Sequence, residues 1–309
     1  MNKSSFHSRS LSRAALPLFA FLCCLQALLV ALPADAARTQ KKPDASARPV
    51  PTPSAPLLTR TSTLRETRRL GFGGMVTIYG APEGSITIEG WPQSQFDVTA
   101  ETELRAPTDQ DLTRLAAVNR FLLDDDLNHI RLVTTGTHDR KFMKRAAKNF
   151  PKPLLSMPWK IDYRLRVPAA TDLEIYAGRG ALRLAGVEGA LRLNAGDSDA
   201  TFALSGGDVE ATIQRGSVLF RLPSRNWRGR GANIRLGTGD LTVELPANYN
   251  GDLNVEVLRN GRIENSYPAL TPRERTDPSE RSLQARAGSG GTMLSFTVGD
   301  GTLRIRQAP

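Results

Sequence analysis

The sequence predicts an all-β chain: a β-solenoid, a β-helix-like stack of short strands with one inserted helix. Three observations predict it. From Leu173 to Phe220, apolar pairs recur with their first members nine residues apart, as in Leu173/Ile175, Leu182/Leu184 and Leu191/Leu193. The beat missing at Ala200 is filled by Phe202/Leu204, and Val209 to Ile213 and Val218/Phe220 restore the count. Small-residue turns precede the pairs (Gly180-Ala181, Gly189-Ala190, Gly207-Asp208, Gly216-Ser217), and no i, i+3, i+4, i+7 period fits the stretch. Residues two apart share one face of a strand. Nine is odd, so a turn must reset the chain between pairs, and flexible residues stand where it is needed. Such a repeat buries its apolar face only by stacking on its neighbours. An antiparallel sandwich is the competing architecture, but its strands are usually spaced more widely and less evenly.

Read from the start, residues 1–36 have the form of a secretory signal. Lys3, Arg9 and Arg13 make a positive n-region, Ala14 to Val30 is an apolar run, and Ala34-Asp35-Ala36 is an A-x-A cleavage site. An uncleaved membrane anchor is the alternative, since the run approaches spanning length. Cys23 and Cys24, the two cysteines of the chain, both lie in this segment, so the exported protein relies on no disulfide and no thiol chemistry. Without Lys3, Arg9, Arg13 and Asp35 the formal charge is +8, 38 basic residues against 30 acidic, rather than +10. That excess draws an exported protein towards anionic lipid, acidic glycan or cell-wall polymer. Residues 37–60, with Pro43, Pro49, Pro51, Pro53 and Pro56, read as a disordered linker, and 61–309 as one β domain.

Within that domain, Met75 to Ile78, Ser85 to Gly90 and Gln95 to Ala100 alternate as strands between Gly or Pro turns. Residues 109–123 change period: Leu112, Leu115, Ala116, Asn119, Leu122 and Leu123 mark a helix face that Thr108 caps and Asp109 and Asp111 favour. His129 to Thr135 and Trp159 to Pro168 are strands again. Between them, Lys141, Lys144, Arg145 and Lys148 would share one face of a helix and touch an anionic surface, against a solvated loop as the simpler reading. After the repeat, alternation resumes at Ala232 to Leu236, Leu241 to Leu245, Leu253 to Val257, Met293 to Val298 and Leu303 to Ile305.

Gly84-Ser85-Ile86-Thr87-Ile88-Glu89-Gly90-Trp91, Tyr163-Arg164-Leu165-Arg166-Val167-Pro168, the recurring Gly-Asp and Gly-Ser turns, and Gly261 to Asn265 with Gly288 to Gly291 and Gly299-Asp300-Gly301 together give a resemblance. Over residues 61–307 the chain resembles the bacterial putative-adhesin domain family of unknown function. The resemblance implies a β-solenoid in the cell envelope and carries over no catalytic residue. The insertion at 109–160 and the loop at about 265–287 depart from its simplest members.

The residues offer little chemistry. His129 and His138 lack zinc-ligand spacing. Asp124-Asp125-Asp126 reads as a solvated turn. Asp197, Asp199 and Asp208 would suit calcium or a glycosidase carboxylate pair, but the repeats carry Arg where the calcium nonapeptide needs Asp. Arg221, Arg225, Arg228, Arg230 and Arg235 around Trp227 form a basic-aromatic corner suited to stacking on sugars. The expectation is a non-enzymatic, exported envelope protein, periplasmic, outer-surface or secreted. It takes no cofactor, metal or nucleic acid and binds a protein, glycan or anionic lipid of the envelope. A carbohydrate-active β-helix enzyme and a structural scaffold are the alternatives.

Overall fold

A computed structural model describes residues 56–273 and 278–309. The signal reading and the linker reading up to residue 55 fall outside these residues. The chain forms β1 (Leu58–Arg69), β2 (Met75–Tyr79), β3 (Ile86–Trp91) and β4 (Gln95–Ala106), then α1 (Asp109–Val118), β5 (Arg120–Asp126), β6 (His129–Thr135) and α2 (Arg140–Ala146). A 3₁₀ turn at Lys152–Ser156 leads to β7 (Trp159–Pro168), β8 (Asp172–Ala177), β9 (Leu182–Ala185), β10 (Ala190–Asp197) and β11 (Ala200–Ala203). Next come β12 (Gly206–Arg221), β13 (Arg228–Leu245), β14 (Gly251–Val257), β15 (Gly261–Asn265), β16 (Leu270–Pro272), β17 (Ser282–Ala287) and β18 (Met293–Gln307). All the strands join one hydrogen-bonded, curled sheet.

Its register explains the nine-residue beat. Consecutive beats do not pair with each other; every second one does. Leu173 stands beside Leu191 and Leu191 beside Val209, each in parallel and eighteen positions apart. Leu182, Ala200 and Val218 do the same. A step of nine therefore carries the chain from one flank of the curl to the other, and a second step brings it back. One flank runs β6-β2-β8-β10 into the first halves of β12, β13 and β18. The other runs β1-β4-β7-β3-β9-β11 into their second halves and β15. The apolar pairs of both flanks point inwards and share one core, where Phe220 meets Phe296 edge-on at 5.2 Å and Phe121 meets Tyr163 at 6.0 Å.

Where the two halves of a long strand meet, Gly216, Gly239 and Gly301 stack in adjacent strands with φ near +135°. At Gly239 a Cβ would lie well inside van der Waals contact of the Gly216 carbonyl oxygen. The small residues of the sequence turns are thus set by close backbone approach as well as by conformation.

Four readings are corrected. β1 begins at Leu58, inside the segment read as linker; it has no apolar face and is held by twelve in-register partners along β4. The helix from 109 stops at Val118 rather than 123. Thr108 caps it as expected, accepting from the Asp111 amide at 3.1 Å, but Asn119 turns extended and residues 120–126 pair with β6. Leu122 and Leu123 continued the helical phase by coincidence. The loop reading of 139–148 gives way to a second helix, α2, whose N-terminus Asp139 caps through the Lys141 and Phe142 amides. The late loop contains β16 and β17, antiparallel to each other, with β17 also antiparallel to β14. Leu112, Leu115 and Leu154 of the insertion pack with Leu104 of β4 into a second small core, joined to the main one through Trp159.

Candidate binding surface

The two basic clusters singled out in the sequence are placed differently. On α2, Met143 turns inwards while Lys141, Lys144 and Arg145 stay exposed, with Lys148 exposed in the turn that follows. At the corner, Trp227 is 6% exposed; its indole N–H donates to the Gly207 carbonyl at 3.1 Å and its ring packs on Phe220. It is a core residue and offers no ring for stacking on a ligand. Most of the arginines around it are engaged: Arg221 with Glu244, Arg228 with Glu188, and Arg230 with Asp208 at 3.4 Å. Arg225 is exposed, and its backbone carbonyl accepts from Asn250.

The acidic candidates are occupied one by one. Asp197 pairs with Arg215, and Asp208 with Arg230. Asp199 accepts the Ser217 amide at 2.8 Å and hydroxyl at 2.7 Å from the neighbouring strand, bonds that hold its carboxyl below the usual range. Asp172 and Asp240 accept the amides of Ala190 and Thr302 in the same way. These aspartates therefore use their carboxylates to tie neighbouring strands of the stack together. Among the described residues no group of three His, Cys, Asp or Glu side chains is placed to hold a metal ion. His129 contacts the Thr77 hydroxyl; His138 lies against Trp159, and its burial lowers its pKa, with Asp139 opposing. Asp124 pairs with Arg131 across the β5–β6 hairpin.

Pairing assembles a surface that the sequence analysis missed. Along the outside of the second flank, Arg65 stands beside Thr99, Thr99 beside Arg164, and Arg164 beside Thr87. Thr87 stands beside Arg183, and Arg183 beside Thr201. The row continues through Leu219, Thr242 and Arg304. Arginine and threonine alternate strand by strand, with Leu219 standing where the next arginine would fall. Two carboxylates beside this row are clamped from both sides. Asp97, 4% exposed, takes Arg65 at 2.9 Å and Arg166 at 2.6 Å; Glu244, 1% exposed, takes Arg221 and Arg306, each at 2.6 Å. Arg164 and Arg183 are exposed and have no hydrogen-bond or ion-pair partner among the described residues.

The Arg65 bond, with Arg166 and Thr67 assisting, holds the Asp97 carboxyl down at about 2. Its stabilisation is full above the ordinary carboxylate value and is lost as pH falls from about 4 through about 2. Because both guanidiniums are half exposed, Asp97→Asn is expected to cost only about 1–2 kcal/mol at neutral pH. Denaturant titrations from pH 6 to 2 check this: the loss should shrink towards pH 2, and a loss that stays constant with pH contradicts the assignment.

No family model matches the chain, and no curated protein matches it. Several solved structures are loosely similar. A protein of Clostridium sporogenes described as a "putative cell adhesion protein" is 13% identical, with 80% of this chain and 100% of that chain covered and a TM-score of 0.41. A "putative adhesin" of Bacteroides fragilis is 11% identical over 79% and 97%, TM-score 0.25. One of Parabacteroides distasonis is 8% identical over 79% and 97%, TM-score 0.23. At these values the likeness carries no argument, and the functional reading rests on the residues of this chain.

Proposed function

We propose that this is a non-enzymatic, exported cell-envelope protein whose β-solenoid body presents an adhesin-like surface that holds another envelope component. The n-region, apolar run and A-x-A site support export. The eighteen-residue parallel register supports the solenoid, two nine-residue beats making one coil. The observation that carries the binding role is the outer row of the second flank, where in-register pairing gathers arginines from distant strands and leaves Arg164 and Arg183 unpaired. The exposed cations of α2 and Arg225 are secondary contacts. A carbohydrate-active enzyme is the weaker reading, since Asp197, Asp199 and Asp208 are each engaged in the stack.

The test is retention of the purified, folded protein on isolated cell-wall, lipid and glycan fractions. Binding at low salt with release as ionic strength rises is expected, because exposed charges are screened beyond about 8–10 Å at physiological salt. A protein that is folded by circular dichroism and held by none of the fractions overturns the reading.

A further inference from the structure

We infer that the arginine–threonine row is the track for a linear acidic polysaccharide with one anionic group per disaccharide, gripped by Arg164 and Arg183. This deepens the binding role proposed above and rests on it. Arg164 lies on β7 and Arg183 on β9, with β3 and its Thr87 between them. Two interstrand steps separate their backbones by about 9–10 Å, the repeat of an extended disaccharide. Nearly every other arginine along this face already serves a carboxylate, as Arg65 and Arg166 serve Asp97 and Arg304 serves Asp240. Within the row, Arg164 and Arg183 are the cations left to meet an external anion, and the planar guanidinium fork matches a carboxylate or sulfate.

The intervening residues suit a sugar chain. Thr99, Thr87 and Thr201 place a hydroxyl, both donor and acceptor, on each strand flanking the two arginines. Ala181, just before β9, and Ala185, at its end, stand on either side of Arg183, so its side chain rises from a low floor. Leu219 ends the alternation. An anionic bilayer fits less well, because no highly exposed apolar side chain stands beside the row. The two most exposed, Phe72 and Leu127, sit on loops joined through the Gly71–Asn128 contact, next to Asp124 to Asp126.

The test measures binding of the purified protein to three probes: hyaluronan, which carries one carboxylate per disaccharide; carboxyl-reduced hyaluronan; and phosphatidylglycerol vesicles. Wild-type protein is expected to prefer hyaluronan over the reduced polymer by at least ~10-fold. Arg164→Gln with Arg183→Gln is expected to lose at least ~10-fold in affinity with little change in thermal midpoint. Arg192→Gln, exposed on β10 in the first flank, should change it by less than ~2-fold. Equal binding by the Arg164/Arg183 variant, equal binding of the neutral polymer, or a preference for vesicles overturns the inference. Retention on envelope fractions without hyaluronan binding removes the inference and leaves the binding role standing. Retention on neither removes both.

Discussion

Gly239→Val is expected to cost about 4 kcal/mol or more in unfolding free energy, enough to unfold much of a marginally stable population. Two costs add. The residue has φ near +133°, a region that costs a side-chain-bearing residue about 1–3 kcal/mol. The Cβ would also collide with the Gly216 carbonyl, a backbone atom that moves only if the stacked corners separate. Gly73→Ala divides the two costs: its φ of +68° carries backbone strain, but nothing lies within 4 Å of its Cβ position. That variant should lose about 1 kcal/mol. Denaturant midpoints measure both, and equal losses at the two positions would show that corner stacking contributes nothing.

Phe220→Ala comes next, at about 4 kcal/mol. Phe220 is fully buried on the second flank and meets Phe296 from the first at 5.2 Å and Trp227 at 5.9 Å. Truncation empties the place where the flanks interlock, and the indole held by the Gly207 carbonyl cannot swing in without losing its buried hydrogen bond. Phe220→Leu keeps most of the volume and should cost about 1 kcal/mol. Urea unfolding with an unchanged m-value would confirm a packing loss. A small loss for Phe220→Ala would mean that the two flanks are not joined through this ring.

Much of the strand content was legible from alternation. β6 and β7 fall on the residues that alternation picked out, and the apolar pairs of the nine-residue beat are core residues. What stayed hidden has physical reasons. β1 carries its stability in pairing along β4 and in ion pairs such as Arg65–Asp97, so it shows no apolar face to read. Leu122 and Leu123 happened to match the helical phase, while the β6 edge offered their backbone a ladder. Trp227 looked like a surface aromatic because arginines flank it in sequence, yet strands alternate and corners fold inwards. The arginine–threonine row was beyond reach for a related reason. Residues 65, 99, 164, 87 and 183 become neighbours only through the order of pairing, which local sequence does not encode.

The place of β18 has a consequence for how the molecule comes into being. β18 is not an edge. It lies between β13 on one side and β14 and β15 on the other, with eleven in-register partners along β13 alone. Until β18 has been made, β13, β14 and β15 lack a partner that closes the stack, and only contacts of long sequence separation supply it. Such closures are slow, and they leave unpaired edges open to capture meanwhile. Closure of the stack therefore waits on β18, and the flanks it will cover stay unpaired until it docks.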